Sequence, residues 1–468
     1  MRWTPGKLAE MAEGRLVRAG TQAAIAGAFI DSRQPVPGAL FVPIVAARDG
    51  HDFIAAAVAG GAAAVLVGPG RAGEVGDAAV TVVEVDDTLA AMTRLAAAAR
   101  NALSGPVVAI TGSNGKTTTR AMIAAVVATG YPELLCTRGN LNNHLGVPLT
   151  LLGEPHEPSA MVVELGMSAP GENDRLAAVV RPTIAVITSV AIEHLEFMGS
   201  IEAIAAAEAE PIGHVTPDGV VLVPGDEPLL TPHLPASCPR VVRFAAGAGA
   251  RVRVVDVVAG VRTVATLAIA AEGDVPEQRV EVRLQTFGAH NARNAAAAMC
   301  VGLELGLPVA QMVAALESVA PVGDRGRLAM YGEHLVVADC YNANPGSVEA
   351  ALRSLTALSS ERSGPLVAVL GDMLELGSTE VQLHREIGTL CAELGLDAVV
   401  GFGRLTKHLV DAAREGGIEA EFVGEDIDLA VDATRRLLGE GDAGAVLVKG
   451  SRGVRLERVV DGLGAIEV

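Results

Sequence analysis

Val107-Val108-Ala109-Ile110-Thr111-Gly112-Ser113-Asn114-Gly115-Lys116-Thr117-Thr118-Thr119-Arg120 is the stretch from which the fold is read. Val107 to Ile110 are β-branched or small and carry no charge, the composition of a fully buried strand. Ala121 to Ala128, beyond the glycines and threonines, reads as an apolar helix. Strand, glycine loop and helix form the context that a phosphate-binding loop requires. Gly112 and Gly115 let the backbone approach an anion closely, and amides at the helix start point at phosphate oxygens. Lys116 would neutralise β/γ charge, and Thr117 or Thr118 would place a hydroxyl on Mg²⁺. The spacing is Gly-x-x-Gly-Lys-Thr, with Ile110 where the stricter pattern has its first glycine. A glycine turn with a solvated lysine is the bland alternative, which the strand context and the threonine run disfavour.

The rest of the chain sets bounds. At 468 residues it exceeds one core, and two to four domains are expected. Hydrophobic residues make up 50% and aromatics only 3%, so small aliphatics must fill the cores, as suits parallel sheets covered by helices. The net charge of −19 argues against a nucleic-acid or anionic-membrane surface, though not against a nucleotide. Cys136, Cys238, Cys300, Cys340 and Cys391 are scattered and form no Cys-x-x-Cys pair, which suggests reduced thiols. The start lacks an apolar signal core and no apolar run reaches a membrane span, so a cytoplasmic protein without membrane insertion is expected.

Three units are expected: 1–103, 104–319 and 320–468. In the first, 40–44, 64–67 and 80–85 read as strands, 52–59 as helix, and Asp87 caps a helix to about Ala102. In the second, strands at 107–111, 160–164, 184–189 and 219–223 alternate with helical patterns, implying a mostly parallel sheet. Residues 251–286 read as antiparallel strands, and 290–305 as helix. In the third, 335–338, 366–370, 398–400 and 445–448 give a doubly wound, Rossmann-like pattern without a Gly-x-Gly-x-x-Gly turn. The fold class is therefore α/β, with a central phosphate-loop domain.

Ligands in open α/β sheets sit at the carboxyl ends of strands. Glu164 stands at one such end beside the glycine loop, where a Mg²⁺ role outweighs that of a solvated acid. His194 follows another and is a candidate metal or phosphate contact, although a lone loop histidine is more often surface. Asn291 and Asn294 precede an alanine-rich helix, where they could read an adenine edge, or Asn291 could cap the helix. Arg327 opens the third unit and Asp339 ends its first strand; both can address the nucleotide if that unit closes on the second. Lys449, after a late strand, could bind an anion or stand in a plain turn.

In sequence order, Asp31-Ser32-Arg33, Asp49-Gly50-His51-Asp52-Phe53, Thr111 to Thr119, Gly139 to Pro148, Asp339 to Pro345, Gly371 to Gly377 and Val448 to Arg452 resemble the Mur ligase family. These are ATP-dependent amide-bond formers of peptidoglycan precursor synthesis. The resemblance spans nearly the whole chain, and the 139–148, 339–345 and 371–377 segments are similar to the form that adds a dipeptide. It implies a ligase that joins D-alanyl-D-alanine to UDP-N-acetylmuramoyl-tripeptide through an acyl phosphate, with ATP and Mg²⁺; a monomer is expected, although the sequence leaves the oligomeric state open. It implies an ATP loop of Gly112, Ser113, Asn114, Gly115, Lys116, Thr117 and Thr118, with adenine contacts at Asn291 and Asn294. Arg327 and Asp339 would be further nucleotide contacts. Thr117, Thr118 and Glu164 would attend a first metal and His194 a second, while Ser32 and Arg33 would contact UDP. Tyr341, Asn342, Asn344 and Lys449 would lie about the dipeptide.

One position departs from the family pattern. Where the resemblance implies a carbamate-bearing lysine, this chain has Glu208, and no lysine occurs between Lys116 and Lys407. We expect Lys116, His194 and Glu208 to serve catalysis, with Glu208 alone supplying the carbamate's negative charge to the second metal. A solvated helix glutamate is the bland alternative. Among rival functions, the ligase adding a diamino acid usually carries Asp-Asn-Pro-Arg, which is missing here. A folate-polyglutamate ligase lacks the first domain. A non-catalytic ATP-binding partner has no need of intact Lys116, Glu164 and His194.

Overall fold

A computed structural model describes every residue except Met1, Cys238, Asp274 and Val468. Its centre is the strand Val107–Thr111, in which all five residues are buried. Alternation along that strand decides the packing. Val108 and Ile110 join the core formed with the helices Lys116–Ala128 and Asn291–Glu304, while Val107 and Ala109 face the opposite core. Ala160–Glu164 and Ile184–Ile187 pair with this strand on either side, both parallel. The chain reaches the first by way of Leu134–Cys136 at the sheet edge, then crosses to the second. The carboxyl end of Val107–Thr111 is thus a topological switch point, where such sheets open a crevice.

Beyond Ile184–Ile187 the sheet continues through Val220–Pro224 and Arg240–Ala245, both parallel. Val252–Val258 joins in parallel to Arg240–Ala245, then pairs antiparallel with Thr263–Ile269, which pairs antiparallel with Gln278–Leu284. Antiparallel strands were expected in this region; Leu134–Cys136 and Arg240–Ala245 were not. The first is short, and the second carries arginines at both ends of its half-exposed run.

The N-terminal unit has a five-stranded sheet in the order Arg15–Arg18, Thr81–Glu84, Ala64–Val67, Leu40–Phe41 and Ala28–Phe29. The strand expected over 40–44 ends at Phe41, two residues before Pro43, which lacks the N–H a ladder needs. The expected helix over 52–59 is a 3₁₀ turn, Gly50–Phe53, continued by α-helix Ile54–Ala59. Asp87 caps the helix Thr88–Asn101 through the Ala90 N–H. That helix packs into one core shared by the N-terminal unit and the central sheet, so the two units are joined by more than a linker.

The C-terminal sheet runs Glu419–Gly424, Ala398–Phe402, Leu366–Gly371, Ala445–Lys449, His334–Asp339, Arg327–Tyr331 and Ile466–Glu467. The first five are parallel and have helix-covered cores on both faces, as doubly wound sheets do. Register sets Asp339 beside Lys449 at the carboxyl ends. The four described cysteines are free thiols; Cys238 lies outside the described residues. Among the described residues no helix is long and apolar enough to cross a membrane.

Candidate active site

The glycine loop is shaped by backbone that other residues resist. Gly112 has φ +123° and Gly115 φ +82°. A Cβ on Gly112 would sit 2.2 Å from Thr188 Oγ1, and one on Gly115 2.8 Å from Asn294 Oδ1. The helix Lys116–Ala128 starts without a side-chain cap, so its first amides are left for an anion. The loop is braced from behind: Ser113 N–H donates to Ser189 O (2.9 Å), and Asn114 N–H to Ser189 Oγ (2.9 Å).

Lys116 folds over this loop and donates to Gly112 O and, at 3.2 Å, to Ser113 O. Its ammonium lies 3.7 Å from Glu193 Oε1. Burial works against the charge, but Glu193, Glu208 and Glu164 outweigh it and raise the pKa. Glu193 is pushed up to about 8, chiefly by burial; Lys116 opposes the shift and Glu208 adds to it. Glu208, at 1% exposure, is no solvated helix residue. Its Oε2 accepts from the Thr111 hydroxyl, from Gly112 N–H at 2.8 Å and from the Asn173 amide at 3.3 Å. The shorter glutamate therefore reaches the loop directly.

Glu164 ends its strand level with Ile110. Its Oε1 accepts from Thr117 Oγ1 (3.2 Å) and Asn142 Nδ2 (2.9 Å). Its Oε2 is buried without a hydrogen-bond partner, 3.6 Å from Arg120. Among the described residues no cluster of three or more His, Cys, Asp or Glu side chains forms a metal cage. Mg²⁺, however, ordinarily takes one or two carboxylates and completes its shell with water and phosphate. The orphaned Glu164 oxygen beside the Thr117 hydroxyl fits a hard cation of that kind. Thr118 is half-buried on the next helical position. His194 Nε2 lies 3.9 Å from Glu193 Oε2, so Glu193 touches Lys116, His194 and Glu208 together.

The C-terminal unit closes this crevice. Asn344 Nδ2 donates to Asn114 Oδ1 at 2.9 Å, and His194 Nδ1 is bonded to Glu375. Lys449 is buried and shared by Asp339 (2.7 Å) and Asn342 O (2.9 Å), which ties down the Tyr341–Asn344 loop. Arg327 is held by Asp324 at 2.9 Å. Arg325, two residues earlier, lies over the Tyr341 ring at 3.6 Å and acts electrostatically on both Lys116 and Glu164. Asn291 does not cap its helix. It donates to Phe287 O and accepts from Asn294, which sits against Gly115. Ser32 is half-buried, and Arg33 is exposed and paired with Asp31 in the N-terminal unit.

The family description Mur ligase middle domain matches residues 110–302, and Mur ligase, glutamate ligase domain matches 326–452. The UDP-N-acetylmuramoyl-tripeptide–D-alanyl-D-alanine ligase of Bacillus subtilis is 35% identical, over 98% of each chain. The chain belongs to the Mur ligase family. The Escherichia coli enzyme of the same name is 32% identical, again over 98% of each. The crystal structure of MurF from Acinetobacter baumannii superposes with TM-score 0.86 at 30% identity, over 99% of each chain. That of the Thermotoga maritima MurF ligase in complex with ADP gives 0.79 at 26%, covering 94% of this chain and 97% of that one.

Several residues of this Mur ligase site had no role in the sequence reading: Glu193, Asn173, Arg325 and Glu375. Glu193 and Arg325 stood beside residues that were singled out. Asn173 carried only the signal of an amide at a helix start, and it is fully buried.

Proposed function

We propose that this chain is the ATP-dependent ligase that joins D-alanyl-D-alanine to UDP-N-acetylmuramoyl-tripeptide in cytoplasmic peptidoglycan precursor synthesis, acting as a monomer. The observation that carries this reading is the meeting of Lys116, Glu164 and the Tyr341–Asn344 loop at one crevice, across the Asn114–Asn344 contact. Residues 1–103 take the UDP end through Ser32 and Arg33. Residues 104–319 bind ATP on Gly112 to Thr118, with Asn291 and Asn294 toward the adenine. Residues 320–468 bring the dipeptide near Tyr341, Asn342 and Asn344, Asp339 and Lys449 hold that loop, and Arg327 or Arg325 faces the nucleotide.

The tripeptide's terminal carboxylate oxygen attacks the γ-phosphorus, and the bond to the β,γ-bridging oxygen breaks to release ADP. The dipeptide amine then attacks the acyl carbon of the acyl phosphate, loses a proton, and phosphate departs. The residues position reactants and offset charge rather than react covalently. Lys116 steadies charge on the transferred group. Thr117, Thr118 and Glu164 would hold one Mg²⁺, and His194 and Glu208 would serve a second. The ions would supply charge neutralisation at the phosphates.

The test is phosphate release in the presence of ATP, UDP-muramoyl-tripeptide and D-alanyl-D-alanine, omitting each in turn. Turnover should need all three. Turnover with UDP-muramoyl-dipeptide and a diamino acid instead would reassign the chain to the preceding step.

A further inference from the structure

His194 and Glu375 face each other across the crevice, each in a backbone conformation that side chains rarely take. Their φ values are +49° and +64°; non-glycine residues stay there where the surroundings require it. Their side chains meet, His194 Nδ1 on Glu375 Oε2. The main chain grips at the same place, with Glu196 N–H donating to Glu375 O at 3.0 Å. Gly377, at φ +60°, lies so close that a Cβ there would be 3.4 Å from Glu196 Cα.

The segment that presents Glu375 is pinned to the C-terminal unit. Asp372 accepts the N–H groups of Arg404 (3.0 Å), Leu405 (2.9 Å) and Thr406 (3.1 Å). Met373 N–H donates to His384 Nε2 (3.0 Å), and Leu374 N–H to Ser451 Oγ (3.0 Å). The three residues before Glu375 are thus fixed, and the place of its carboxylate is set by where the C-terminal unit stands. His194 belongs to the central unit.

A carboxylate that accepts from one ring nitrogen fixes the tautomer and ring orientation, and leaves the other nitrogen defined. Here the remaining nitrogen is Nε2, on the side of Glu193 and, through it, Lys116. We propose that Glu375 is a positioning residue for His194, delivered by the C-terminal unit as it closes, so that domain closure and presentation of the His194 Nε2 are one event. The proposal rests on the reading that His194 works in the ligase reaction. The competing account is a solvent-exposed ion pair of little consequence; the Glu375 side chain is 45% exposed. The paired main-chain bond and the pinned loop favour a built contact.

The full-length protein tests this in four variants: Glu375→Ala, Glu375→Leu, Glu375→Asp and His194→Ala. Histidine ¹⁵N NMR, with ADP and UDP-muramoyl-tripeptide present, reads the tautomer, and the His194 signal is the one missing from His194→Ala. In the wild type it should be Nδ1-protonated. In Glu375→Ala the tautomers should mix and kcat should fall roughly 10–100-fold, as for lost orienting partners generally, with KM for ATP near wild type. Glu375→Asp should recover part of both, and Glu375→Leu, close in size and without an acceptor oxygen, replaces the alanine variant if that one fails to fold. Wild-type turnover in Glu375→Ala beside an inactive His194→Ala overturns the positioning role alone. So does an unchanged tautomer in a slow Glu375→Ala. Wild-type turnover in His194→Ala overturns the reading of His194 itself.

Discussion

Two strand-to-helix turns meet at the crevice, and they end in opposite ways. After Val107–Thr111, Gly112 to Gly115 lead into a helix whose first amides have no side-chain cap. After His334–Asp339, Cys340 to Asn344 lead into the helix Pro345–Thr356, which is closed by a capping box. There Asn344 accepts from Ser347 N–H at 2.8 Å, and Ser347 Oγ accepts from Asn344 N–H at 3.0 Å. Each turn also has a lysine nearby. Lys116 is ringed by carboxylates on different elements, whereas Lys449 is locked to Asp339 and Asn342 of its own sheet end. A helix start binds phosphate when its own side chains leave the amides free, and a lysine serves transferred charge when no single partner holds it. On the proposed function the first turn takes the nucleotide, while the second holds a loop in place through Lys449.

The largest effect that would break this contrast is at Lys116. Lys116→Ala should lower kcat by roughly 10²–10³-fold, the usual scale for a lost transition-state charge contact, while circular dichroism shows an intact fold. Near-normal turnover would mean that the uncapped turn is not the phosphate site.

Next in size is Glu208, which braces the uncapped turn from behind. In Glu208→Gln the side-chain oxygen can still accept from Gly112 N–H and Thr111, so the loop stays held and only charge is lost. We expect kcat to fall by about tenfold or the Mg²⁺ requirement to rise, as for residues one step behind a metal. Melting temperature should stay level or rise, because Glu193 no longer faces a second buried acid. The wild type should work equally well in CO₂-depleted buffer and with bicarbonate. Bicarbonate stimulation, or an indifferent Glu208→Gln, would show that Glu208 does not supply that charge.

The uncapped turn was legible in the sequence because its strand is buried on both faces and its glycines are obligatory. Ala160–Glu164 and Ile184–Ile187 were legible for the same reason, and their ends gave Glu164 and the neighbourhood of His194. Strands with one wet face were harder. Arg240–Ala245 and Glu419–Gly424 carry charges along their length, and the second lies at a sheet edge, where charge is a protection against mispairing. Arg325 and Glu375 were illegible as site residues because their positions depend on how the C-terminal unit sits on the central one. Position at the opening of the third unit and the family resemblance pointed to Arg327, whose guanidinium is paired with Asp324. Asn344 was expected near the dipeptide; its cap, which suits Asn-Pro at a helix start, emerges with the structure, and its second bond, to Asn114, exists only through the closed crevice.

Asn344 therefore joins the two turns, and the smallest expected effect separates its two tasks. Its Oδ1 caps its own helix, and its Nδ2 donates to Asn114 Oδ1 at 2.9 Å. Asn344→Ala removes both and should lower stability by about 1 kcal/mol, the usual worth of an N-cap, which thermal unfolding will read. Asn344→Asp keeps the capping oxygen but has no amide to donate, and it sets a carboxylate against Asn114 Oδ1. It should melt close to the wild type, because aspartate caps as well as asparagine. If the bond to Asn114 matters for closure, Asn344→Asp should nevertheless show a several-fold higher KM for ATP, on the scale of about 1 kcal/mol for one lost hydrogen bond. A stability loss in Asn344→Ala alone, with KM unchanged in both variants, would reduce Asn344 to a cap. The two turns would then be neighbours without being coupled.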